Sequence, residues 1–114
     1  MSIRRGGIYL AVLDPVLGKE ISKTRPILVI SNDVNNKYSG TVTVLPITSQ
    51  KLKKIYPFEV FLSKGSGNLP KDSKVKAEQI RTLYKSRLIK QLGSIDKKNL
   101  VSVEKAIKIH LDLI

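Results

Sequence analysis

The chain of 114 residues contains no cysteine, no tryptophan and a single histidine. The missing cysteines exclude a disulfide framework, a thiol nucleophile and a cysteine-ligated metal site. With His110 alone, neither an acid–base pair of two histidines nor a histidine-rich metal site can be built. Its place in the last turn of a predicted helix, beside an apolar stripe, favours capping or packing over catalysis. Composition therefore excludes most hydrolase chemistries.

Long apolar runs are also lacking. The first apolar stretch, residues 8–13, is only six residues long and ends at Asp14-Pro15. It is too short for the core of a signal peptide, and no other stretch is long enough for a membrane span. We therefore expect a cytoplasmic protein without a membrane segment. The length allows one domain over residues 1–114.

Acidic residues are few, and the basic residues are unevenly placed. Nine Asp and Glu stand against 21 Lys and Arg, which gives a formal net charge of +12. Between residues 51 and 90, 11 basic residues against three acidic ones give a net charge of +8. Such a concentration within a folded stretch favours a binding face for a polyanion or an acidic protein. A solvated, lysine-rich surface is the alternative.

Short β-branched and aromatic runs predict strands over the first two-thirds of the chain. They lie at residues 8–13, 25–31, 41–48, 56–62, 75–83 and 87–92, with turns and loops at 17–23, 32–37 and 63–70. The run 25–31 is almost continuously apolar, which predicts a strand that is buried on both faces.

The end of the chain has helical spacing. Asp96 is a good N-cap, and an apolar stripe follows at Leu100, Val103, Ile107 and Leu111. Strands at short intervals followed by one amphipathic helix predict a small, strongly curved antiparallel barrel with a C-terminal helix.

Motifs for metal or nucleotide chemistry are missing from the sequence. The carboxylates show no D-x-D or E-x-x-H spacing, and the Gly-Lys-Ser/Thr end of a phosphate-binding loop does not occur. Gly65-Ser66-Gly67 has no helix signal after it and is predicted to be a plain loop. We therefore expect neither a metal site nor a cofactor.

Two polar side chains occur where strands are predicted to begin or end. Arg25 opens the most apolar strand, so its guanidinium must point to water or onto an anion, and its planar fork suits a phosphate. Thr48 ends another strand beside a basic loop, where its hydroxyl could donate to a phosphate oxygen. The alternative is a surface ion pair between Arg25 and Glu20, with Thr48 as an ordinary turn residue.

An ordered series of short motifs runs through nearly the whole chain. It consists of Arg4-Arg5-Gly6 with Ile8-Tyr9, Asp14-Pro15 with Gly18 and Glu20, Arg25-Pro26-Ile27-Leu28-Val29, Ser31-Asn32-Asp33, Pro46-Ile47-Thr48, Tyr56-Pro57-Phe58-Glu59-Val60 and Glu78-Gln79-Ile80-Arg81-Thr82. Each piece is a weak signal alone, but the series in this order resembles the MazF/PemK-type toxin family. The sequence departs from that pattern at Gly7, where many members have Asp, and at Ser22-Lys23-Thr24, where glycine is frequent.

The resemblance implies a mainly β fold, a curved SH3-like antiparallel barrel with a C-terminal helix, and a homodimer. It implies a sequence-specific endoribonuclease that cuts single-stranded RNA without metal or cofactor and is held inactive by an acidic antitoxin. The family's catalytic arginine falls on Arg25, its threonine on Thr48 and its acidic loop residue on Glu20. The glutamine of its E-Q-I-R-T stretch falls on Gln79, where the groove meets RNA.

An enzyme of this kind can use the ribose 2′-hydroxyl of its substrate as the nucleophile. We expect Arg25 to bind the non-bridging oxygens and stabilise the pentavalent state, and Thr48 to donate a further hydrogen bond. The products would be a 2′,3′-cyclic phosphate and a 5′-hydroxyl. Glu20 is either the general base or a residue that orients Arg25, and the sequence leaves both roles open.

The residues expected to contact RNA are of three kinds. Amides and hydroxyls can bond unstacked bases, cations can bind the backbone, and an aromatic ring can stack on a base. The first are Asn32, Ser49, Gln50 and Gln79, the second are Lys19, Lys53, Lys54 and Arg81, and the third is Tyr56. A core position is the alternative for Tyr56, because it precedes Pro57.

Two other functions stay open at this point. Related barrels of the CcdB type poison DNA gyrase through the C-terminal helix, which would move the function to the helix end near His110, Asp112 and Ile114. A non-catalytic, basic RNA-binding barrel is the other alternative. The motifs around Arg25 and Thr48 favour the nuclease.

Overall fold

A computed structural model describes residues 1–13, 18 and 23–113 of the chain. Within these residues, one antiparallel sheet is followed by a long helix. The elements are β1 (Gly7–Val12), β2 (Thr24–Val29), α1 (Asp33–Tyr38), β3 (Thr41–Thr48), β4 (Glu59–Leu62), β5 (Ser73–Lys76), β6 (Arg81–Tyr84), β7 (Leu88–Ser94) and α2 (Lys97–Leu111). Short 3₁₀ turns occupy Ser66–Asn68, Ala77–Gln79 and Lys85–Arg87.

The strands follow the order β4-β5-β3-β2-β1-β7, and β6 also pairs with β3. The strand β3 is central, since β2 lies on one side of it and both β5 and β6 lie on the other. The 3₁₀ turn between β4 and β5 contacts β7 at the other end of the order, because the Asn68 amide donates to the Leu92 carbonyl at 2.8 Å. The described residues therefore form a curved, barrel-like sheet that is not fully closed by strand pairing.

The strand β2 separates two apolar clusters, as the continuous apolar run predicts. Leu28 belongs to the cluster that packs beneath α2, whereas Ile27 and Val29 belong to the cluster on the opposite face. All three side chains are buried. Alternation along a strand sends neighbouring residues to opposite faces, so a strand with two buried faces must be apolar throughout.

The long helix α2 is capped and packed largely as the sequence predicts. The Asp96 side chain accepts from the backbone N–H of Asn99 at 2.7 Å, which confirms it as the N-cap. Val103 is buried in the cluster beneath the helix, but Leu111 is 45% exposed, so the prediction of a buried stripe is wrong at its last position.

The predicted strand at residues 75–83 is broken into two. Both β5 and β6 lie along β3, but Leu45 and Pro46 separate their pairings on β3, whereas residues 76–80 separate them on the other side. The 3₁₀ turn Ala77–Gln79 takes up the extra residues. Apolar character continues through this turn, because Ala77 is buried in the core, and the sequence pattern therefore shows no break.

Two other boundaries differ from the sequence prediction. The turn-rich stretch 32–37 forms the short helix α1, where the Asn32 side chain accepts from the backbone N–H of Asn35 at 2.8 Å. The strand predicted at 56–62 begins only at Glu59, whose N–H donates to the carbonyl of Tyr56 across a turn.

No helix in the described part of the chain is long and apolar enough to cross a membrane.

Candidate active site and nucleic-acid interface

Arg25 and Thr48 lie at adjoining ends of neighbouring strands. In the antiparallel pair of β2 and β3, Ile27 is opposite Pro46. Continued by two residues, this register sets Arg25 opposite Thr48. Because alternate residues of a strand share a face, both side chains lie on the same face as Ile27 and Pro46. Both residues are half-buried. The fold therefore brings together the arginine and the threonine singled out by the sequence.

The same sheet face continues onto β5 and β4, where it carries charged residues. Lys74 pairs with Thr48, and Lys76 follows two residues later on the same face. Glu59 is opposite Lys76 on β4. Val75, between the two lysines, is buried in the cluster beneath α2. From β2 to β4 this face therefore presents a guanidinium, a hydroxyl, two ammonium groups and a carboxylate. We call it the polar face.

The loop after β3 is tied to the polar face by a buried ion pair. Lys74 Nζ donates to Glu59 Oε1 at 3.1 Å and to the carbonyl oxygens of Lys51 at 2.9 Å and Lys54 at 3.3 Å. Glu59 Oε1 also accepts from the Tyr56 N–H at 3.0 Å. Glu59 and Lys74 are 5% and 3% exposed. Two buried side chains thus hold three backbone groups of the loop.

The start of this loop is fixed by Thr48. The backbone N–H of Gln50 donates to Thr48 Oγ1 at 3.1 Å. Lys51 follows in the left-handed region with φ of 53°, so the chain reverses within three residues of the strand end. Since Thr48 Oγ1 serves here as an acceptor, its own hydroxyl proton can be donated to another group.

The charges on the polar face stabilise one another. Burial opposes the ionised form of Glu59, but the Tyr56 N–H and the ammonium groups of Lys76 and Lys74 outweigh it and hold the pKa of Glu59 below its ordinary value. Lys76 Nζ lies 3.1 Å from Glu59 Oε2 and 3.3 Å from Glu78 Oε2. Burial lowers the pKa of Lys76, but the two carboxylates outweigh it and raise that pKa above its ordinary value. Both groups are therefore charged at neutral pH.

A cavity of about 520 Å³ opens between the loop and the strands β4 and β5. It is lined by Lys51, Lys53, Lys54, Lys74 and Lys76, by Glu59 and Glu78, and by Tyr56 and Phe58. The two aromatic rings are nearly parallel, with 5.3 Å between centroids and 6° between planes. Lys54 Nζ lies 4.7 Å from the centroid of the Tyr56 ring. The cavity is therefore cationic with an aromatic wall.

The fold gathers some of the sequence-predicted RNA contacts and separates others. Thr48, Ser49, Gln50, Lys53, Lys54 and Tyr56 lie in or beside the loop, whereas Asn32 lies beyond the other end of β2 and caps α1. Gln79 lies in the 3₁₀ turn between β5 and β6, and Arg81 pairs with Val44 on β3. Lys19, Glu20 and Ile114 lie outside the described residues. In the described ranges, no three His, Cys, Asp or Glu side chains form a group that could hold a metal ion.

Four residues of this region were missed by sequence reasoning, namely Phe58, Glu59, Lys74 and Lys76. The alternation Lys74-Val75-Lys76 indicates that both lysines share one face of a strand. It does not indicate that a carboxylate lies opposite, because the pairing of β4 with β5 brings together residues far apart in the chain.

The profile of PemK-like, MazF-like toxins of type II toxin–antitoxin systems matches residues 4–111. The chain belongs to this toxin family. Endoribonuclease MazF9 of Mycobacterium tuberculosis is 40% identical over 116 residues, which cover 97% of this chain and 98% of the relative. Endoribonuclease MazF of Staphylococcus saprophyticus is 45% identical over 111 residues, which cover 97% of this chain and 92% of the relative.

Solved structures agree with the fold of this MazF-like toxin. MazF from Deinococcus radiodurans matches with a TM-score of 0.84 at 29% identity, over 98% of both chains. A MazE–MazF crystal structure from the same organism matches with a TM-score of 0.79 at 28% identity, over 100% of this chain and 99% of that chain. The expected mainly β fold with a C-terminal helix is confirmed, and so are the family and the endoribonuclease class that the resemblance implies.

Proposed function

We propose that this MazF-like toxin cuts single-stranded RNA at a short sequence, without a metal ion, on the polar face around Arg25 and Thr48. One observation carries the proposal: the register of β2 and β3 at Ile27 and Pro46, continued by two residues, directs Arg25 and Thr48 to the same face of the sheet, beside a basic loop that is anchored by buried side chains. A guanidinium and a hydroxyl on one face suit a phosphate, and the lysines around them suit the backbone of a nucleic acid.

The chemistry uses the substrate's own nucleophile. The ribose 2′-oxygen loses its proton to a base and attacks the adjacent phosphorus, and the 5′-oxygen leaves with a proton from an acid. Arg25 binds the non-bridging oxygens, where negative charge builds up, and Thr48 donates its hydroxyl proton to one of them. Glu20 acts either as the base or as the group that orients Arg25. The products are a 2′,3′-cyclic phosphate and a 5′-hydroxyl.

RNA recognition uses the groups around this face. Ser49, Gln50 and Gln79 offer hydrogen bonds to unstacked bases, and Asn32 offers them at the far end of β2. Lys19, Lys53, Lys54 and Arg81 bind phosphates, and Tyr56 contacts a base. Single-stranded RNA suits such a set, because its bases expose their Watson–Crick edges.

The active form in this proposal is a homodimer that an acidic antitoxin inhibits. The net charge of +12 favours an acidic partner, and a crystal structure of MazE–MazF is known from D. radiodurans. An acidic segment that lies over the basic loop would cover the lysines that the RNA backbone needs.

The deciding experiment mixes the purified protein with a defined single-stranded RNA in EDTA and identifies the fragment ends by mass spectrometry. Fragments with 2′,3′-cyclic phosphate and 5′-hydroxyl ends are the expected result. Cleavage that EDTA abolishes would contradict the metal-free mechanism. Intact RNA together with gyrase-dependent DNA breaks would replace the nuclease by a gyrase poison, and bound but uncut RNA would replace it by a binding barrel.

A further inference from the structure

We propose that Tyr56 and Phe58 form a stacking site for one nucleobase of the RNA, next to the scissile phosphate but separate from it. This inference rests on the proposed function and adds a subsite to it. Tyr56 is 43% exposed although it is a large aromatic side chain, and its ring lies parallel to that of Phe58 on the wall of the cationic cavity. Exposed aromatic rings beside lysines are the usual means of holding single-stranded nucleic acid.

The aromatic pair leaves room for a base. With 5.3 Å between centroids and nearly parallel planes, the rings are offset, so neither covers the whole face of the other. The ammonium of Lys54, an exposed side chain, lies over the Tyr56 ring. Stacking of a base on an aromatic ring is stronger than an exposed cation–π contact, so an arriving base displaces Lys54. The displaced ammonium can then pair with the adjacent phosphate.

Buried side chains anchor the backbone of the stacking site. Glu59 Oε1 accepts from the Tyr56 N–H, and Lys74 binds both Glu59 and the Lys54 carbonyl. Lys74 also pairs with Thr48 across β3 and β5. Because Lys74 lines the cavity, Thr48 lies beside one wall of the cavity. A rigid platform loses little conformational entropy when it binds.

The far side of the pair is closed by the helix α2. The His110 ring lies 6.4 Å from that of Phe58 at an angle of 55°. Phe58 is half-buried between the two rings, which leaves Tyr56 as the exposed member. The site therefore accepts one base, on the Tyr56 side. The surrounding lysines outnumber the two glutamates, and this charge suits the phosphates on either side of a stacked base.

The test is an abasic scan of a bound oligonucleotide. The RNA is selected from a random pool by binding to the purified protein, and a 2′-deoxy nucleotide at the cleaved position prevents cleavage. Each neighbouring base is then removed in turn, and the affinity is measured for the wild type and for Tyr56→Ala. For the wild type we expect one position, away from the cleaved bond, at which removal of the base weakens binding about 10-fold.

The variants decide what that position contacts. In Tyr56→Ala, removal of the same base should not weaken binding further, because the ring on which the base stacks is gone. In Tyr56→Phe, which keeps an aromatic ring, removal of the base should weaken binding about as much as in the wild type. Tyr84→Ala, the same truncation of an exposed tyrosine at the other end of β3, should behave as the wild type. Circular dichroism checks the fold of each variant.

Two outcomes would overturn the stacking site alone. If the losses from Tyr56→Ala and from the abasic nucleotide simply add, the ring does not stack on that base. If Tyr56→Ala leaves RNA affinity unchanged and weakens binding of the antitoxin, the site serves a protein partner. If the wild type neither binds nor cleaves single-stranded RNA, the proposed function fails together with the site, and this outcome is distinct from the other two.

Discussion

Lys74 and Glu59 form an ion pair inside the protein, with 3.1 Å between Nζ and Oε1 and side chains that are 4% and 1% exposed. A buried pair of this kind contributes little to stability by itself, because removing both charges from water costs about as much as their attraction returns. Here each partner also holds loop backbone, through the carbonyls of Lys51 and Lys54 and the N–H of Tyr56. The pair therefore acts chiefly on the position of the loop.

Replacing one or both members of the ion pair should separate its effect on the position of the loop from its effect on the stability of the protein. Lys74→Met should destabilise the fold by about 3 kcal/mol, because it leaves Glu59 buried with Lys76 as its remaining cation. The double variant Glu59→Met/Lys74→Met should regain most of that free energy of unfolding in urea. Its RNA cleavage should nevertheless stay reduced, mainly through KM, because three loop contacts are lost.

The control for this prediction is Lys64→Met, since Lys64 is an exposed lysine outside the cavity. It should change neither stability nor cleavage. Wild-type KM in the double variant would show that the ion pair does not position the loop. A single variant as stable as the double one would show that the charges are not effectively buried.

The second prediction concerns acid stability. The pKa of Glu59 is lower in the folded protein than in the unfolded chain, so its contribution is present above about pH 4.5 and is lost as the pH falls through the folded value. We expect the free energy of unfolding to fall as the pH is lowered through about 4.5 and below. Glu59→Met/Lys74→Met should fall less steeply over this range.

The Asp33 carboxylate must be the same in both proteins of this comparison. The N–H of Arg5 and the Asn36 side chain hold its pKa below the ordinary value as well. Both proteins in the comparison retain Asp33, so only the difference between their pH profiles reports on Glu59. Identical slopes would mean that Glu59 is not stabilised as an anion by the folded protein.

The sequence predicts that Arg25 and Thr48 lie near strand ends, but it does not predict the ion pair that anchors the neighbouring loop. Arg25 and Thr48 are recognisable because each adjoins an apolar strand and a polar loop, and local pattern carries that information. The partnership of Lys74 with Glu59 depends on which strands pair and in which register, and long-range pairing is not encoded in any short window. The burial of Leu111 is predicted wrongly for a related reason, since helical spacing shows which residues share a stripe but not which of them the rest of the fold covers.

The third prediction concerns the Arg25 guanidinium and the Thr48 hydroxyl as catalytic groups. Arg25→Ala and Thr48→Ala should each lower kcat at least about 100-fold, the size expected when a donor to a developing anion is removed. Thr48→Ser keeps the hydroxyl and should retain most of the activity. Single-turnover cleavage of a defined RNA measures the effect, and circular dichroism checks the fold. Substantial cleavage by folded Thr48→Ala would remove the hydroxyl from the mechanism.

The last prediction concerns the lysines of the loop. Each phosphate neutralised by a lysine contributes about 0.7 to the slope of log affinity against log salt for single strands. Lys53→Ala/Lys54→Ala should therefore flatten that slope by about 1.4 when the affinity for uncleavable single-stranded RNA is measured over a range of salt concentrations. Lys64→Ala/Lys71→Ala removes the same charge from exposed positions outside the cavity and should leave the slope unchanged. If both pairs flatten the slope equally, the RNA senses overall charge and the loop lysines make no specific phosphate contact.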